Sequence, residues 1–367
     1  MGRKCCHFVD VLVIGAGPAG SSTARAAASG GLRVLMVEKR PTVGLPVQCA
    51  EYVPAQIAGY VSIPERCIAR RIRTMRTHLP DGQVVETPAA GYMLDRALFD
   101  KALVVAACQA GAEVWTAAQA VAVSQGENLA RVRRNGVLEE VEYRVLIGAD
   151  GPRSLVGKCI GQVNSELVYA VQVEVILGER QPPFTEVHFI PACRGGYGWV
   201  FPKEHTANVG VGVNPAMGGN PHQALKYLWE QLNLGEAPIV GHTAGLIPVG
   251  GMVDRLRVGN VLLVGDAAGF THPITGAGVF AAVVGGTLAG QTVVRALKSG
   301  NIDLLEEYEK EWSAFMGGPL NHALSKRHYR DTHWSDDPNT LSSVIRETWV
   351  AFPGYTARDT KHIVRRN

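Results

Sequence analysis

The chain has 367 residues, 46% of them hydrophobic and 19% charged, with a formal net charge of +3. That composition leaves no case for disorder and suits a soluble protein of two interleaved domains around a sizeable core. So small a net charge, with no basic groove interleaved with aromatics, argues against nucleic acid as a partner. The seven cysteines, Cys5, Cys6, Cys49, Cys67, Cys108, Cys159 and Cys193, are odd in number and hold no C-x-x-C pair. They read as reduced thiols of a cytoplasmic protein, and no metal site is expected.

Arg3 and Lys4 precede an apolar run, as in a signal peptide, but that run is the first strand of a nucleotide unit and cannot be removed. Met1-Gly2 lacks the Ser or Thr of a myristoylation signal, because Cys6 stands there. Asp10 to Arg40 reads as one βαβ unit. A strand, Val11 to Ile14, leads into Gly15, Gly17 and Gly20 in G-x-G-x-x-G spacing, with Ala19 between the last two. A helical stretch and a second strand, Val34 to Val37, follow, and Glu38 closes the unit. Gly15 turns the chain, Gly17 lets the backbone approach a pyrophosphate, and Gly20 lets helix and strand pack closely. The helix N-terminus faces the phosphates, and Glu38 stands where a carboxylate accepts from ribose hydroxyls.

Arg40 to Val61 is punctuated by proline and glycine and reads as a loop near the nucleotide, carrying Pro46, Cys49 and Glu51, before a short helix. Ile63 to Gly91 is strand-like around an Asp81-Gly82 turn, which predicts a hairpin of a second domain. Tyr92 to Ala110 has helical periodicity, with Asp95 as N-cap and Arg96 in the first turn. Val114 to Ser124 and Ala130 to Arg134 alternate as strands, and the buried strand Val145 to Ile147 runs into Asp150-Gly151. In an open α/β sheet that edge collects ligands. Val168 to Gly251 predicts an antiparallel sheet with one helix, Gln223 to Leu232. Val258 to Val264 then returns to the nucleotide domain and ends at Gly265-Asp266. Val279 to Val294, apolar but interrupted by glycines, is expected as a buried helix. Asp303 to Phe315 reads as a helix, the last fifty residues as a polar tail with Trp334 and Trp349 as isolated anchors, and Arg358 to Arg366 as a solvated basic end.

Two further acid-bearing turns extend the nucleotide motif toward FAD. Asp266 follows a strand and precedes a helix, so it can bond ribityl hydroxyls while that helix presents its N-terminal N–H groups to the flavin. With Asp150-Gly151 and Arg96, this constellation resembles the glutathione-reductase-type FAD fold of para-hydroxybenzoate hydroxylase-like flavoproteins. Within it, Tyr197-Gly198-Trp199-Val200-Phe201-Pro202 resembles the Y-x-W-x-F-P signature of geranylgeranyl reductases. Pro46-Val47-Gln48-Cys49-Ala50-Glu51 resembles that family's P-x-x-C-x-E loop, and Gly265 to Gly269 with Pro273 to Gly278 its third block.

The resemblance covers Asp10 to Leu297. It implies an α/β fold with a Rossmann-type FAD domain (1–62, 92–160 and 255–300) interleaved with an antiparallel-sheet substrate domain (63–91 and 161–254), then a helical region, 301–367. It further implies that Gly15, Gly17, Ala19, Gly20, Glu38, Arg40, Arg96, Asp150, Gly151, Gly265, Asp266, Gly276 and Gly278 hold FAD. Cys49, Tyr197, Trp199, Phe201 and Pro273 would face a long apolar prenyl substrate. The reaction implied is hydride transfer from the reduced flavin to an isolated C=C bond, with Cys49 or Tyr197 adding the proton. His272, placed where the family more often has a small amide or apolar residue, is a further candidate.

Simpler readings exist for each. Cys49 as a packed thiol, His272 as a structural hydrogen-bonder, and Tyr197, Trp199 and Phe201 as one face of a half-buried strand all fit the pattern. A monooxygenase acting on an aromatic, such as a tryptophan of a partner protein during quinone-cofactor biogenesis, is the alternative on the same scaffold. The external electron donor is NAD(P)H, ferredoxin or a quinol, since no second G-x-G-x-x-G is present. A prenyl-lipid substrate implies peripheral contact with the inner face of the membrane.

Overall fold

The computed structural model describes residues 6–178 and 182–356. The basic stretch Arg358 to Arg366 and the residues Met1 to Cys5 lie outside these. In chain order, β1 (Cys6–Ile14), α1 (Pro18–Ser29) and β2 (Val34–Val37) form the βαβ unit. β3 (Tyr52–Pro54), β4 (Ile68–His78), β5 (Val84–Leu94) and α2 (Arg96–Gln109) follow. Next come β6 (Glu113–Trp115), β7 (Ala118–Ser124), β8 (Leu129–Arg134), β9 (Val137–Gly148) and α3 (Leu155–Cys159). The second sheet is completed by β10 (Leu167–Ile176), β11 (Phe184–His188), β12 (Tyr197–Pro202), β13 (Thr206–Val213), α4 (Pro221–Gln231) and β14 (Ile239–Pro248). The chain then returns through β15 (Arg257–Val258) and β16 (Val261–Leu263) to α5 (Val279–Ser299), α6 (Glu306–Trp312), α7 (Gly318–Thr332), α8 (Pro338–Thr348) and α9 (Pro353–Thr356).

The first sheet has the order β15-β16-β9-β1-β2-β6, with β8 branching from β9 and β7 pairing with β8. β16, β9, β1, β2 and β6 run parallel. Their apolar runs are buried on both faces, as a parallel sheet requires. α1 packs on β1 and β2 and crosses α5 closely. A Cβ on Gly286 would meet the Ala19 carbonyl oxygen at 2.2 Å, and one on Gly290 would meet the Thr23 carbonyl oxygen at 2.5 Å. α5 is therefore long and apolar enough to cross a membrane, yet is a core helix wedged against α1 by two residues without side chains.

The second sheet runs β14-β10-β13-β12-β11-β4-β5-β3. Every pair is antiparallel except β4 with β11, where two distant chain segments meet. The Asp81-Gly82 turn joins β4 and β5 as the hairpin signal predicts. One face packs under α4 through Ala224 and Leu228. The other carries Trp199 and Phe201 and packs under α7 and α8 through Ala323, Leu341 and Ile345.

Two expectations are corrected. Tyr52–Pro54, read as loop and grouped with the FAD unit, is a strand that pairs with β5 in the second sheet. The C-terminal region through residue 356 is no polar tail with isolated anchors. Trp349 is 2% exposed and makes edge contacts with Phe189 and Tyr197 at 5.1 and 5.2 Å. Leu341, Ile345 and Trp349 recur every fourth residue with Val344 beside them, so a narrow apolar stripe was enough to dock a helix that is otherwise mostly polar.

Gly286→Ala should destabilise the fold by about 1–3 kcal/mol, the usual cost of overpacking a close crossing, whereas Gly126→Ala, with open space around it, should change stability by under about 0.5 kcal/mol. Urea unfolding followed by tryptophan fluorescence measures both, and equal midpoints for the two variants would contradict the account of the α1–α5 crossing.

Candidate active site

At the end of β1 the three glycines do separate jobs. Gly15 has φ +102°, and a Cβ there would lie 2.2 Å from the Ala149 carbonyl oxygen. A Cβ on Gly20 would lie 1.9 Å from the carbonyl oxygen of Gly15. Gly17 differs: a Cβ would meet nothing within 4 Å, and no side chain caps the helix it starts. The protein's own packing therefore requires glycine at 15 and 20 but not at 17, where an open face and uncapped N–H groups suit a phosphate. Glu38 ends β2 beside this loop, its oxygens accepting from the Ala16 and Arg40 amides at 3.0 and 2.9 Å. Arg40 donates to the Pro46 carbonyl and to Gln48 Oε1, so it clamps the 46–48 loop.

The other acidic turns diverge. Asp150 accepts from Ser154 Oγ and from the Leu155 and Val156 amides, so its carboxylate caps α3, while Gly151 beside it has an open face. Asp266 sits in the turn after β16, beside Gly265. Burial raises its pKa, tempered by a 3.2 Å bond from Thr271 Oγ1 and by nearby Arg96. A Cβ on Gly278 would come within 3.2 Å of Asp266 Oδ1, and Gly278 starts α5 without a side-chain cap. Gly276, at φ +68°, faces Ile247. Two uncapped helix N-termini, an open glycine face and two carboxylates fit an FAD in chemistry and in placement.

Arg96 lies at the centre of a buried polar network. Its guanidinium binds both oxygens of Asp100 at 2.8 and 3.0 Å, and its backbone amide donates to Glu51 Oε1 at 2.9 Å. Burial opposes its charge, but Asp100, Cys49 and Glu51 outweigh that and raise its pKa. Glu51, 2% exposed with φ +74°, also accepts from Asn208 at 2.8 Å and from Lys203 at 2.5 Å. Its amide donates to Cys49 Sγ at 3.2 Å. Burial pushes the Cys49 thiol up, with Arg96 pulling the other way. Gln172 donates to the Cys49 carbonyl at 3.2 Å and accepts from the Trp199 indole at 2.9 Å.

Tyr197, Trp199 and Phe201 share one face of β12 and belong to the aromatic core beneath α7 and α8. The Tyr197 hydroxyl donates to the Thr275 carbonyl at 2.5 Å, and burial pushes its pKa up. His272 Nδ1 accepts from the Ile274 and Thr275 amides at 3.3 Å, and its Nε2 lies 3.2 Å from Tyr355 Oη. Burial, with His322 adding to it, lowers its pKa to about 4. It is a neutral ring that closes the 272–277 loop. Arg327 donates to the Pro273 carbonyl and Arg330 to the Gly195 carbonyl, so α7 ties that loop to the second sheet.

Beneath the same loop lies a cavity of about 220 Å³ with apolar walls that include Tyr52, Phe270, Phe280, Met316, Leu320 and Val350. His272 and Gly278 line it, and the Thr275 that accepts from Tyr197 does so too. Cys49, Tyr197, Trp199, Phe201 and Pro273 do not line it; Trp199 and Phe201 lie in the aromatic core, with Tyr197 packed against it. Sequence reasoning passed over Asp100, Gln172, Lys203, Asn208, Arg327 and Arg330. Asp100 was open to it as the i+4 partner of Arg96; the others are brought in by contacts between distant segments.

A family model described as tryptophan halogenase matches residues 50–338, and one described as an NAD(P)-binding Rossmann-like domain matches 13–63. The chain is 35% identical to the digeranylgeranylglycerophospholipid reductase of Methanothrix thermoacetophila over 93% of this chain and 92% of that protein. It is 38% identical to digeranylgeranylglycerophospholipid reductase 1 of Methanopyrus kandleri over 83% and 85%. Among solved structures, a geranylgeranyl bacteriochlorophyll reductase-like protein of Thermoplasma acidophilum superposes with a TM-score of 0.84 at 27% identity, covering 94% of this chain and 97% of that one. A myxobacterial chondrochloren halogenase superposes at 0.74 with 20% identity, over 92% and 86%, which shows a shared fold. Fold and site thus define an FAD-dependent oxidoreductase on the flavoprotein scaffold that the halogenase model describes. Within that group the chain belongs to the geranylgeranyl reductase family.

Because a side chain at Gly17 clashes with nothing in the protein, Gly17→Val should lose FAD on purification while its apoprotein unfolds at the parent's apo midpoint. Flavin absorbance and a thermal melt check this together; full flavin content would remove Gly17 from the phosphate site. The depressed His272 value gives a pH prediction. With a folded pKa of about 4 against 6.5 unfolded, its contribution is complete above pH 6.5 and is lost as pH falls toward 4. Stability should drop by about 2–3 kcal/mol over that window, and His272→Gln should flatten that part of the pH–stability curve.

Proposed function

We propose that the chain reduces isolated C=C bonds of a prenyl lipid of the digeranylgeranylglycerophospholipid kind, with Cys49 as proton donor. The observation that carries the reading is identity of 35% and more, along most of the chain, to reductases of that name. In this reading Gly15, Gly17, Gly20, Glu38 and the start of α1 hold the adenosine diphosphate half of FAD. Asp266, Arg96 and the start of α5 hold the flavin half. When bound and reduced by the external electron donor, FAD would supply the hydride.

The chain's own residues supply the proton and exclude water. Burial favours the protonated Cys49 thiol, so at neutral pH it is an acid, and the Arg96 charge stabilises the thiolate left behind. Tyr197 is a weaker candidate, because its proton is committed to the Thr275 carbonyl. His272 is weaker still, being a neutral ring whose Nδ1 is taken by two backbone amides. An alkene offers no carbonyl to polarise, so dry walls that hold it in place matter most. The apolar cavity under the 272–277 loop offers such walls to a part of the prenyl chain away from the reacting double bond, which has to reach Cys49 outside that cavity. Such a substrate resides in a bilayer, so the protein should float partly with anionic liposomes at low salt.

Cys49→Ser should leave FAD content and flavin reduction near the parent's while slowing anaerobic reoxidation by prenyl lipid roughly 10²–10⁴-fold, the span for a lost general acid. Stopped-flow absorbance measures it. Fast reoxidation in Cys49→Ser would remove the residue from the chemistry, and reoxidation by oxygen alone would remove the reductase reading itself.

A further inference from the structure

On the face of the second sheet opposite Tyr197 and Trp199, three side chains converge that the flavin chemistry does not use. β4 and β11 run parallel, with His78 in register with His188 and Arg76 in register with Glu186. Strand alternation puts Glu186 and His188 on one face. The two imidazoles stack with centroids 4.1 Å apart and planes 12° apart. Glu186 Oε2 lies 2.7 Å from His78 Nε2 and 3.5 Å from His188 Nε2, and the three ligand atoms all lie within 4.8 Å of one another.

Two observations separate this cluster from an ordinary surface ion pair. Both Nε2 atoms are buried and neither makes a well-aligned hydrogen bond, although His188 is only 9% exposed. The cation that strand register offers to Glu186 is engaged elsewhere, since Arg76 bonds Glu86 at 2.9 Å and lies over the Phe184 ring. Two imidazole nitrogens without an aligned partner, beside a carboxylate, are what a borderline divalent metal takes.

We propose that His78, Glu186 and His188 form a site for one divalent transition-metal ion of the zinc class, with water completing its shell. Around a tetrahedral ion with bonds of about 2.0–2.1 Å, ligand atoms sit roughly 3.3 Å apart. The cluster therefore closes by small shifts, chiefly a rotation of the imidazoles out of their stack so that both lone pairs converge. That torsion is a soft one. The ion would staple the one parallel seam of the sheet, where segments distant in sequence meet. Between and beyond the ligands on β11, Val187 and Phe189 point into the aromatic core that holds Tyr197. The ion would thereby fix the strand that backs the wall of the active site.

The test uses tag-free, FAD-loaded protein washed with chelator and titrated with zinc sulfate by calorimetry. The expected result is one equivalent bound, with a rise of several degrees in the unfolding midpoint. His78→Ala and His188→Ala should each lose that equivalent and the rise while keeping parental flavin content. Glu186→Gln, of the same shape, should weaken binding at least tenfold. Should the alanine variants fail to retain flavin, zinc-edge X-ray absorption on the parent reads the ligands directly and should show two imidazoles. No equivalent bound by the parent, one retained in both alanine variants, or an edge spectrum without two imidazoles would overturn the site.

Discussion

A buried guanidinium ties α2 to the second sheet at the place where chemistry is expected. Arg96 begins α2, donates through Nε and Nη2 to Asp100, and donates its backbone amide to Glu51, whose other oxygen accepts from Asn208 in β13 and Lys203 in the β12–β13 turn. Burial opposes the charges of both Arg96 and Lys203, and in each case the acids around them prevail. Such a network is satisfied only when α2, the 49–51 loop and the β12–β13 hairpin are all in place, and removing one member would strand a buried charge. The Glu51 amide of this network donates to the Cys49 sulfur, and Gln172 holds the Cys49 carbonyl.

The parts legible in the sequence were those whose physics is local. The βαβ unit, the Asp81-Gly82 hairpin and the Asp95 cap of α2 each follow from a few neighbouring residues, and each lies where the pattern put it. β3 escaped because three residues carry no periodicity, and it exists only because β5 offers an edge. α7 escaped because its buried face is charged: Lys326, Arg327 and Arg330 read as a solvated surface, yet are 4%, 1% and 1% exposed. Composition cannot tell a basic helix in water from one whose cations are matched to carbonyls of distant loops. The pairings Glu51–Lys203 and His78–Glu186 were invisible for the same reason. The β4–β11 register made the second and the meeting of a loop with a turn made the first, and local sequence states neither.

The C-terminal helices tie the aromatic face of the second sheet to the loop that lines the apolar cavity. Trp199 and Phe201 are buried because Leu341, Ile345 and Trp349 cover them. Through Arg327 and Arg330 the same cover grips Pro273, in the loop that follows Asp266, and Gly195, at the entry to β12. Tyr197 completes the circuit by donating to Thr275. The loop between Asp266 and α5 is therefore held from three directions: by the sheet through Tyr197, by α7 through Arg327, and by its own His272.

That arrangement explains why His272 can stand where a smaller residue is usual in the family. A neutral imidazole accepting from the Ile274 and Thr275 amides organises the loop internally, much as an Asn side chain would. Its second nitrogen then meets Tyr355, which packs against the aromatic core from the C-terminal end. The ring costs desolvation but returns a tie between the cofactor-side loop and α9. Because Thr275 of that loop both lines the apolar cavity and accepts from Tyr197, the loop's rigidity holds the cavity wall and the aromatic core in fixed relation, as reduction of an unactivated double bond demands.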